Sequence, residues 1–424
     1  MRIVMLTLGT RGDVQPFVAL GVRLQARGHS VRICTCQRFE QFITSRGLEY
    51  GYLDDRLIQF IESDTVKEII GSPRAGILQW IRAAVKLLPQ IKDMQRDMLD
   101  DQWAASEDAE LLLYHPKALG GPHIAERLGI PAFAVPPFPG YVPTRDFPLF
   151  ILGGRSLGGW FNRRSYAITR RGQAAVAGLI NDFRQKLGLT RRPRFAIEPT
   201  ELLGRPVPWM HPVSPHVLPR PEDWPEHAAM TGYWFLDADD GWAPPAELET
   251  FLAAGEPPVY VGFGSMVTCE PQEMARLVLG ALARSGARGI VGRGWGGLQP
   301  ETVPEGVCLV DDVPHDWLLP RCSAAVHHGG AGSTAASLRA GIPTLIVPHV
   351  ADQPLWGRQV HELGAGPEAL SKKQLSAEAL AGRIEAALGS PEMAATAAEL
   401  GERIRDEDGA AEAMAFIGRF GPEV

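Results

Sequence analysis

A chain of 424 residues is longer than one hydrophobic core usually grows, so two domains are expected. Its 45% hydrophobic and 21% charged residues are ordinary for a soluble globular protein, and a formal net charge of −7 argues against a general nucleic-acid or anionic-membrane surface. The 5 cysteines are scattered without a CxxC pair and fit a reduced, cytoplasmic setting; Cys34-x-Cys36 lies in an apolar run and reads as strand packing rather than a metal site.

The chain opens Met-Arg and enters an apolar strand, residues 3–8, too short for a signal-peptide core. No apolar run approaches the ~20 residues needed to span a bilayer. A soluble monomer or homodimer is expected, with no nucleic-acid partner and no stable membrane insertion. After the turn Gly9-Thr10-Arg11-Gly12, residues 16–26 have helical spacing, with Phe17, Leu20 and Leu24 on one face, and residues 31–35 form the next strand. A long helical region at 65–99 follows, in which Ile77, Leu78, Ile81, Val85 and Leu88 recur at helical intervals. That face packs a core or lines a cleft. Strands at 111–114 and 131–135 flank a helix through Ile124 and Leu128. Residues 136–159 are a proline- and aromatic-rich loop of the kind that builds binding walls at strand ends.

Residues 204–245, rich in proline and tryptophan, read as the inter-domain connection, with one short strand near 230–235. The alternation then restarts with strands at 259–263, 289–291, 307–310, 324–327 and 344–347 and helices at 271–284 and 333–340. Helices dominate from 375 to 416. The fold class is therefore α/β, with two facing Rossmann-like domains, parallel sheets and a cleft between them. The expected boundaries are 1–222, 223–405, and a terminal helix in 406–424 that packs back toward the first domain.

The segment 325–357 carries the most chemical information. Gly329, Gly330 and Gly332 let backbone amides approach a ligand closely, and the helix that follows aims unpaired N–H groups at the same point. This is an anion cradle suited to phosphate. His328 adds a donor, and Asp352 with Gln353 suits sugar hydroxyls, so the combination suggests a sugar nucleotide held by its diphosphate. His327 and His328 point to opposite faces of a strand and do not easily share one ion. Gly264-Ser265 follows another strand end of the same half.

The first turn is not GxGxxG, and the second strand ends in Cys36-Gln37-Arg38 without an acidic residue for a ribose, which argues against NAD. Asp13 is either an N-cap or a carboxylate at the cleft mouth that takes a proton from an alcohol. Asp237-Ala238-Asp239 reads as a solvated acidic loop, so no required metal is expected.

Three motifs in this order resemble the family 1, GT-B-fold nucleotide-sugar glycosyltransferases over essentially the whole chain. They are Gly9-Thr10-Arg11-Gly12-Asp13-Val14-Gln15-Pro16, Val313-Pro314-His315-Asp316-Trp317-Leu318, and His328-Gly329-Gly330-Ala331-Gly332-Ser333-Thr334 through Asp352-Gln353. In style the chain resembles sterol glucosyltransferases and bacterial enzymes that glycosylate glycopeptide and polyketide antibiotics. The resemblance implies diphosphate contacts from His328, Gly330, Gly332, Ser333, Thr334 and Ser265. It implies base contacts from Val313 and His315, and sugar contacts from Asp352 and Gln353. Asp13 would be the general base, where plant relatives carry histidine. Those relatives stack the base on a tryptophan where this chain has Asp312, which leaves Trp295 as a candidate stacking partner.

Gly12, Phe138 and Tyr141 are the expected acceptor contacts, and Trp80, Phe147, Phe150, Trp160 and Phe161 lie in or near the same irregular segments. Such a cleft suits a planar or lipophilic acceptor. The implied reaction is an inverting, metal-independent transfer of a hexose, glucose foremost, from a UDP- or TDP-sugar to an acceptor hydroxyl, with no cofactor. A non-catalytic helper protein and a sugar-nucleotide epimerase of the same fold are the alternatives.

Overall fold

Each half of the chain lays its short apolar runs side by side as parallel strands, because the helices between them bury both faces. The computed structural model describes residues 1–62, 77–152, 156–238, 241–263, 271–293 and 302–424. The first half contributes β1 (Arg2–Leu6), β2 (Ser30–Cys36), β3 (Glu49–Leu53), β4 (Leu111–Tyr114) and β5 (Ala132–Ala134). A small antiparallel hairpin, β6 (Glu201–Leu202) and β7 (Arg205–Pro206), comes next, and β8 (Trp209–His211) and β9 (Ala228–Met230) complete it. Seven of these form one sheet in the order β3-β2-β1-β4-β5-β8-β9, every neighbouring pair parallel. The second half supplies β10 (Val259–Gly262), β11 (Gly289–Gly292), β12 (Val307–Val310), β13 (Ala324–His327) and β14 (Thr344–Ile346). Their order is β12-β11-β10-β13-β14, again all parallel.

In both sheets the strand order reverses once, between β1 and β4 and between β10 and β13. Ligands of open α/β sheets bind outside the strand C-termini at such switch points. The loops there are the ones after β1, β4, β10 and β13, and they carry most of the residues considered below.

Several elements differ from the sequence reading. The stretch 204–245 is not simply a connection, since β8 and β9 are the last two strands of the first sheet and carry it past residue 222. The strand expected near 230–235 lies at Ala228–Met230. Helix α1 spans Arg11–Ala26 and starts before Pro16 because the Thr10 amide donates to Asp13 Oδ2 at 2.8 Å, half of a capping box. Pro16 inside it has no N–H to offer the Gly12 carbonyl, so the first turn lacks that i→i−4 bond. The long helix of the first half is described from Ile77 to Ala104; the start expected at 65 lies outside the described residues.

The last helix, Gly409–Phe420, packs on α1. Ala410, Ala413, Met414, Phe416 and Ile417 share one core with Val14, Phe17, Val18 and Trp234. Arg23 and Asp408 pair beside it at 2.7 Å. Among the described residues no helix is long and apolar enough to cross a membrane.

Candidate functional site

The cleft is lined by two helix starts that face each other. A Cβ on Gly332, at the start of the Ala331–Ala340 helix, would lie 3.6 Å from the Cα of Gly12 in the first turn of α1. Both helices therefore turn their amide-rich, positive ends into one gap.

On the first-domain side Asp13 is the third residue of α1 and only 8% exposed. It is not the N-cap, which is Thr10. Its Oδ2 accepts from the Thr10 amide at 2.8 Å and the Thr10 hydroxyl at 3.2 Å. Its Oδ1 meets Lys117 Nζ at 2.8 Å and His115 Nε2 at 3.4 Å. Burial pushes this carboxyl up, but the Lys117 ammonium and the His115 contact outweigh it and hold Asp13 well below the usual carboxylate range. The Lys117 amide donates to His115 Nδ1 at 2.9 Å, so the ring proton sits on Nε2, near Asp13 but outside hydrogen-bond geometry. Sequence reasoning missed His115 and Lys117. Their signal was position: they follow β4, at the switch point opposite the loop that carries Asp13.

On the second-domain side β13 ends at His327, which is buried with Nε2 3.1 Å from Ser337 Oγ while its Nδ1 accepts from the Gly329 amide at 3.0 Å. The strand ends at His327, so the alternation expected for the pair does not extend to His328, and the two rings lie edge to face with centroids 6.3 Å apart. His328 Nδ1 and the buried Thr334 Oγ1 have no protein hydrogen-bond partner among the described residues. Burial, with His349 and His315 nearby, pushes His328 down to about 4, so it acts as a neutral imidazole. Gly329 has φ +85, and a Cβ there would come 2.5 Å from Ile346 Cγ2. The Thr334 amide is already held by the Gly330 carbonyl at 2.9 Å, so that residue offers its hydroxyl rather than its N–H. The amides of the first helical turn, Gly332 and Ser333 among them, have no intrahelical acceptor.

His315 opens its own short helix beneath this turn. Its Nε2 lies 3.1 Å from Tyr260 Oη, and burial pushes it down to about 4. Val313 is buried just before it. Asp352 precedes the Gln353–Glu362 helix and follows Ala351, held at φ 57, a left-handed conformation that costs a non-glycine residue energy. Trp356 Nε1 donates to Asp352 Oδ2 at 2.6 Å. Burial raises the Asp352 carboxyl, and the charges of Asp13 and Lys117 act on it in opposite directions across the cleft. Gln353 Oε1 accepts from the His349 amide at 2.7 Å and the Val350 amide at 3.0 Å, fixing the loop ahead of its helix.

Phe138 and Tyr141 form an aromatic wall that sequence reasoning left incomplete. Tyr141 stacks on Trp209 with ring centroids 5.7 Å apart, and Phe138 meets Phe150 edge-on at 4.6 Å. The charges of Asp13 and Asp352 both reach the Tyr141 phenol, which puts the wall beside the cleft carboxylates. Glu198 also acts on Tyr141, and burial pushes it up to about 7. Trp160 does not join the wall; it is 71% exposed with Arg164 over its ring. Ser265, Trp295 and Asp239 lie outside the described residues, as does the side chain of Trp80. Asp237 pairs with Arg339, and among the described residues no cluster of metal-ligating side chains occurs.

Comparison with known proteins places the sequence in a family. Residues 3–144 match the glycosyltransferase family 28 N-terminal domain, and residues 295–414 match the C-terminal domain of erythromycin biosynthesis protein CIII-like proteins. Two sterol 3-beta-glucosyltransferases of Arabidopsis thaliana are 38% identical: UGT80A2 over 98% of this chain and 64% of its own length, and UGT80B1 over 100% and 69%. The sterol 3-beta-glucosyltransferase of Aspergillus fumigatus is 34% identical over 99% of this chain, which spans only 30% of that protein. Among solved structures, the calicheamicin glycosyltransferase CalG4 superposes with a TM-score of 0.69 at 20% identity, covering 99% of both chains. Glycosyltransferase VinC, solved with dTDP, does so at 0.68 and 21%, again over 99% of each chain. These likenesses establish the two-domain GT-B fold.

Proposed function

The chain belongs to the glycosyltransferase family that contains the sterol 3-beta-glucosyltransferases, and from that premise we propose that it transfers a hexose, glucose foremost, from a UDP- or TDP-sugar to a hydroxyl of a sterol-like or other lipophilic acceptor. The observation that carries this reading is Asp13, a buried, ionised carboxylate in the same electrostatic neighbourhood as Asp352 across a gap walled by two helix starts. His328, the first-turn amides and the Thr334 hydroxyl grip the diphosphate. His315 and Val313 meet the base, Asp352 and Gln353 the sugar, and the Phe138–Tyr141–Trp209 wall the acceptor.

The acceptor oxygen attacks the anomeric carbon from the side opposite the diphosphate, inverting it, while Asp13 takes the hydroxyl proton. A positioned base of this kind contributes ~10²–10⁴-fold. The charge that develops on the leaving diphosphate meets preorganised N–H donors and a helix end, a stabilisation that needs no metal. The intact cradle and the acceptor wall favour a transferase over a helper protein or an epimerase.

The test is product formation by mass spectrometry with UDP-glucose and TDP-glucose over a panel of sterols and aromatic alcohols, run beside Asp13→Asn. Asparagine keeps an oxygen for the Thr10 amide, so the variant should fold and bind donor yet lose transfer. Near-normal turnover by Asp13→Asn sinks the base assignment.

A further inference from the structure

Both oxygens of Asp13 are already engaged. Oδ2 accepts from the amide and hydroxyl of Thr10, contacts built into the start of α1. Oδ1 is the atom left for an acceptor hydroxyl, and there Lys117 Nζ sits at 2.8 Å. The Lys117 backbone is anchored by its amide on His115 Nδ1 at 2.9 Å, whereas its side chain is 43% exposed on a four-carbon stem. Its charge also reaches Asp352 on the other domain, so the ammonium lies toward the place where sugar and acceptor meet.

We propose that Lys117 is a positioning residue that holds Asp13 Oδ1 until an acceptor hydroxyl displaces it, and so keeps the base from activating water against a bound donor. This rests on the assignment of Asp13 as base in the proposed function. In productive transfer the acceptor oxygen bonds to the anomeric carbon, the bond from that carbon to the diphosphate breaks, and the hydroxyl proton goes to Oδ1. In the futile reaction water takes the acceptor's place, with the same bond broken and the same proton acceptor. A carboxylate in contact with an ammonium is a weaker base, and with Lys117 on Oδ1 at 2.8 Å and His115 Nε2 beside it at 3.4 Å that oxygen is crowded against a water. A bulky acceptor held by the Tyr141–Trp209 wall has binding energy to displace the lysine; a water molecule does not. The other groups facing Asp13 are His115, Asp352 and the Tyr141 phenol. None is a second cation able to replace Lys117, because burial lowers His115 toward its neutral form.

The experiment measures free glucose released from UDP-glucose and TDP-glucose without acceptor, and glucoside formed with cholesterol in cyclodextrin, for the wild type, Lys117→Met, Lys117→Gln and Lys117→Arg. Removing the charge should raise the ratio of hydrolysis to transfer by on the order of 10-fold. It should also move the acid limb of the kcat/KM profile upward by about one unit or more, the effect of losing an opposite charge in contact. Lys117→Arg, which keeps the charge, should stay near the wild type in both. A lysine that only props up the loop would move neither the ratio nor the acid limb. If both neutral variants leave hydrolysis and the acid limb unchanged while Asp13→Asn is inactive, the gate is overturned and the base stands. If Asp13→Asn is active, the base assignment fails and the gate fails with it.

Discussion

Nη1 of Arg11 donates to both carboxylate oxygens of Asp312, each at 2.9 Å, and so ties the first turn of α1 to the loop that leads into the His315 helix of the other domain. The same guanidinium lies over the Phe42 ring at 5.1 Å, and its charge bears on His315. Position 312 therefore carries half of an inter-domain ion pair.

Both partners are largely open to water, 46% and 83% exposed, so the pair is worth only ~0.2–1 kcal/mol and weakens with salt. Its effect belongs to domain closure rather than to folding. Arg11→Ala should leave the melting temperature nearly unchanged yet raise the donor KM by about 1.4- to fivefold at low salt, the range that this energy allows. Asp312→Ala should match it, and the double variant should be no worse. A KM effect that survives undiminished in 1 M NaCl would contradict the ion pair as its cause.

Donor binding is next. UDP and TDP should each raise the melting temperature, since a ligand that binds only the folded state stabilises it by about 2.7 kcal/mol at 100 times its Kd. His328→Ala should shrink that shift, because Nδ1 of His328 is a buried polar atom with no protein partner among the described residues. The imidazole is pushed down to about 4, so it stays neutral across the neutral range. Nucleotide affinity should therefore follow only the nucleotide's own terminal phosphate, which titrates at about 6 in wild type and His328→Ala alike, with no added step near the ordinary histidine value of 6.5. Calorimetric titration between pH 5.5 and 8 checks this, and a step that disappears in His328→Ala would show a cationic grip instead.

Most of this was legible in the sequence because local chemistry and global fold agree there. The glycine turn after His328 and the alternation of short apolar runs with amphipathic helices each fix an element without help from distant residues. The misses come from contacts that no local pattern encodes. Lys117 reaches Asp13 from 104 positions away through the adjacency of β1 and β4. Trp209 joins the aromatic wall only because β8 pairs with β5, and a strand of three residues in a proline-rich stretch has too little periodicity to be seen. The start of α1 was misplaced because Pro16 reads as a first-turn proline, whereas the cap lies at Thr10.

Three glycines should respond differently to alanine. Gly9 has φ +135, and a Cβ there would lie 2.2 Å from Asp13 Oδ2, so Gly9→Ala must displace the carboxylate. Transfer should fall by on the order of 10²-fold, the scale of losing a positioned base. Gly12→Ala meets nothing nearer than Thr10 Oγ1 at 3.7 Å and should fold as the wild type does. Gly329→Ala combines left-handed backbone with a clash against Ile346 and should cost at least ~1–2 kcal/mol of stability. Equal melting temperatures for Gly12→Ala and Gly329→Ala would refute the geometry of the turn.

Glu198 gives a pH signature that can be separated from catalysis. Gln173 donates to its Oε2, and burial raises it from 4.5 to about 7 with no cation among the described residues to offset the cost. Between those two values the folded state holds a proton that the unfolded chain has released. Stability therefore falls as pH rises through that window, and the penalty is complete above about 7. Glutamine cannot ionise and escapes the penalty. Glu198→Gln should melt close to the wild type at pH 5 and above it at pH 8. Asp352 and Glu407 are raised in the same direction, but they cancel when the two proteins are compared at each pH. A difference in melting temperature that is the same at both pH values would mean that Glu198 is ionised in the folded protein at pH 5, and that its surroundings already compensate the charge.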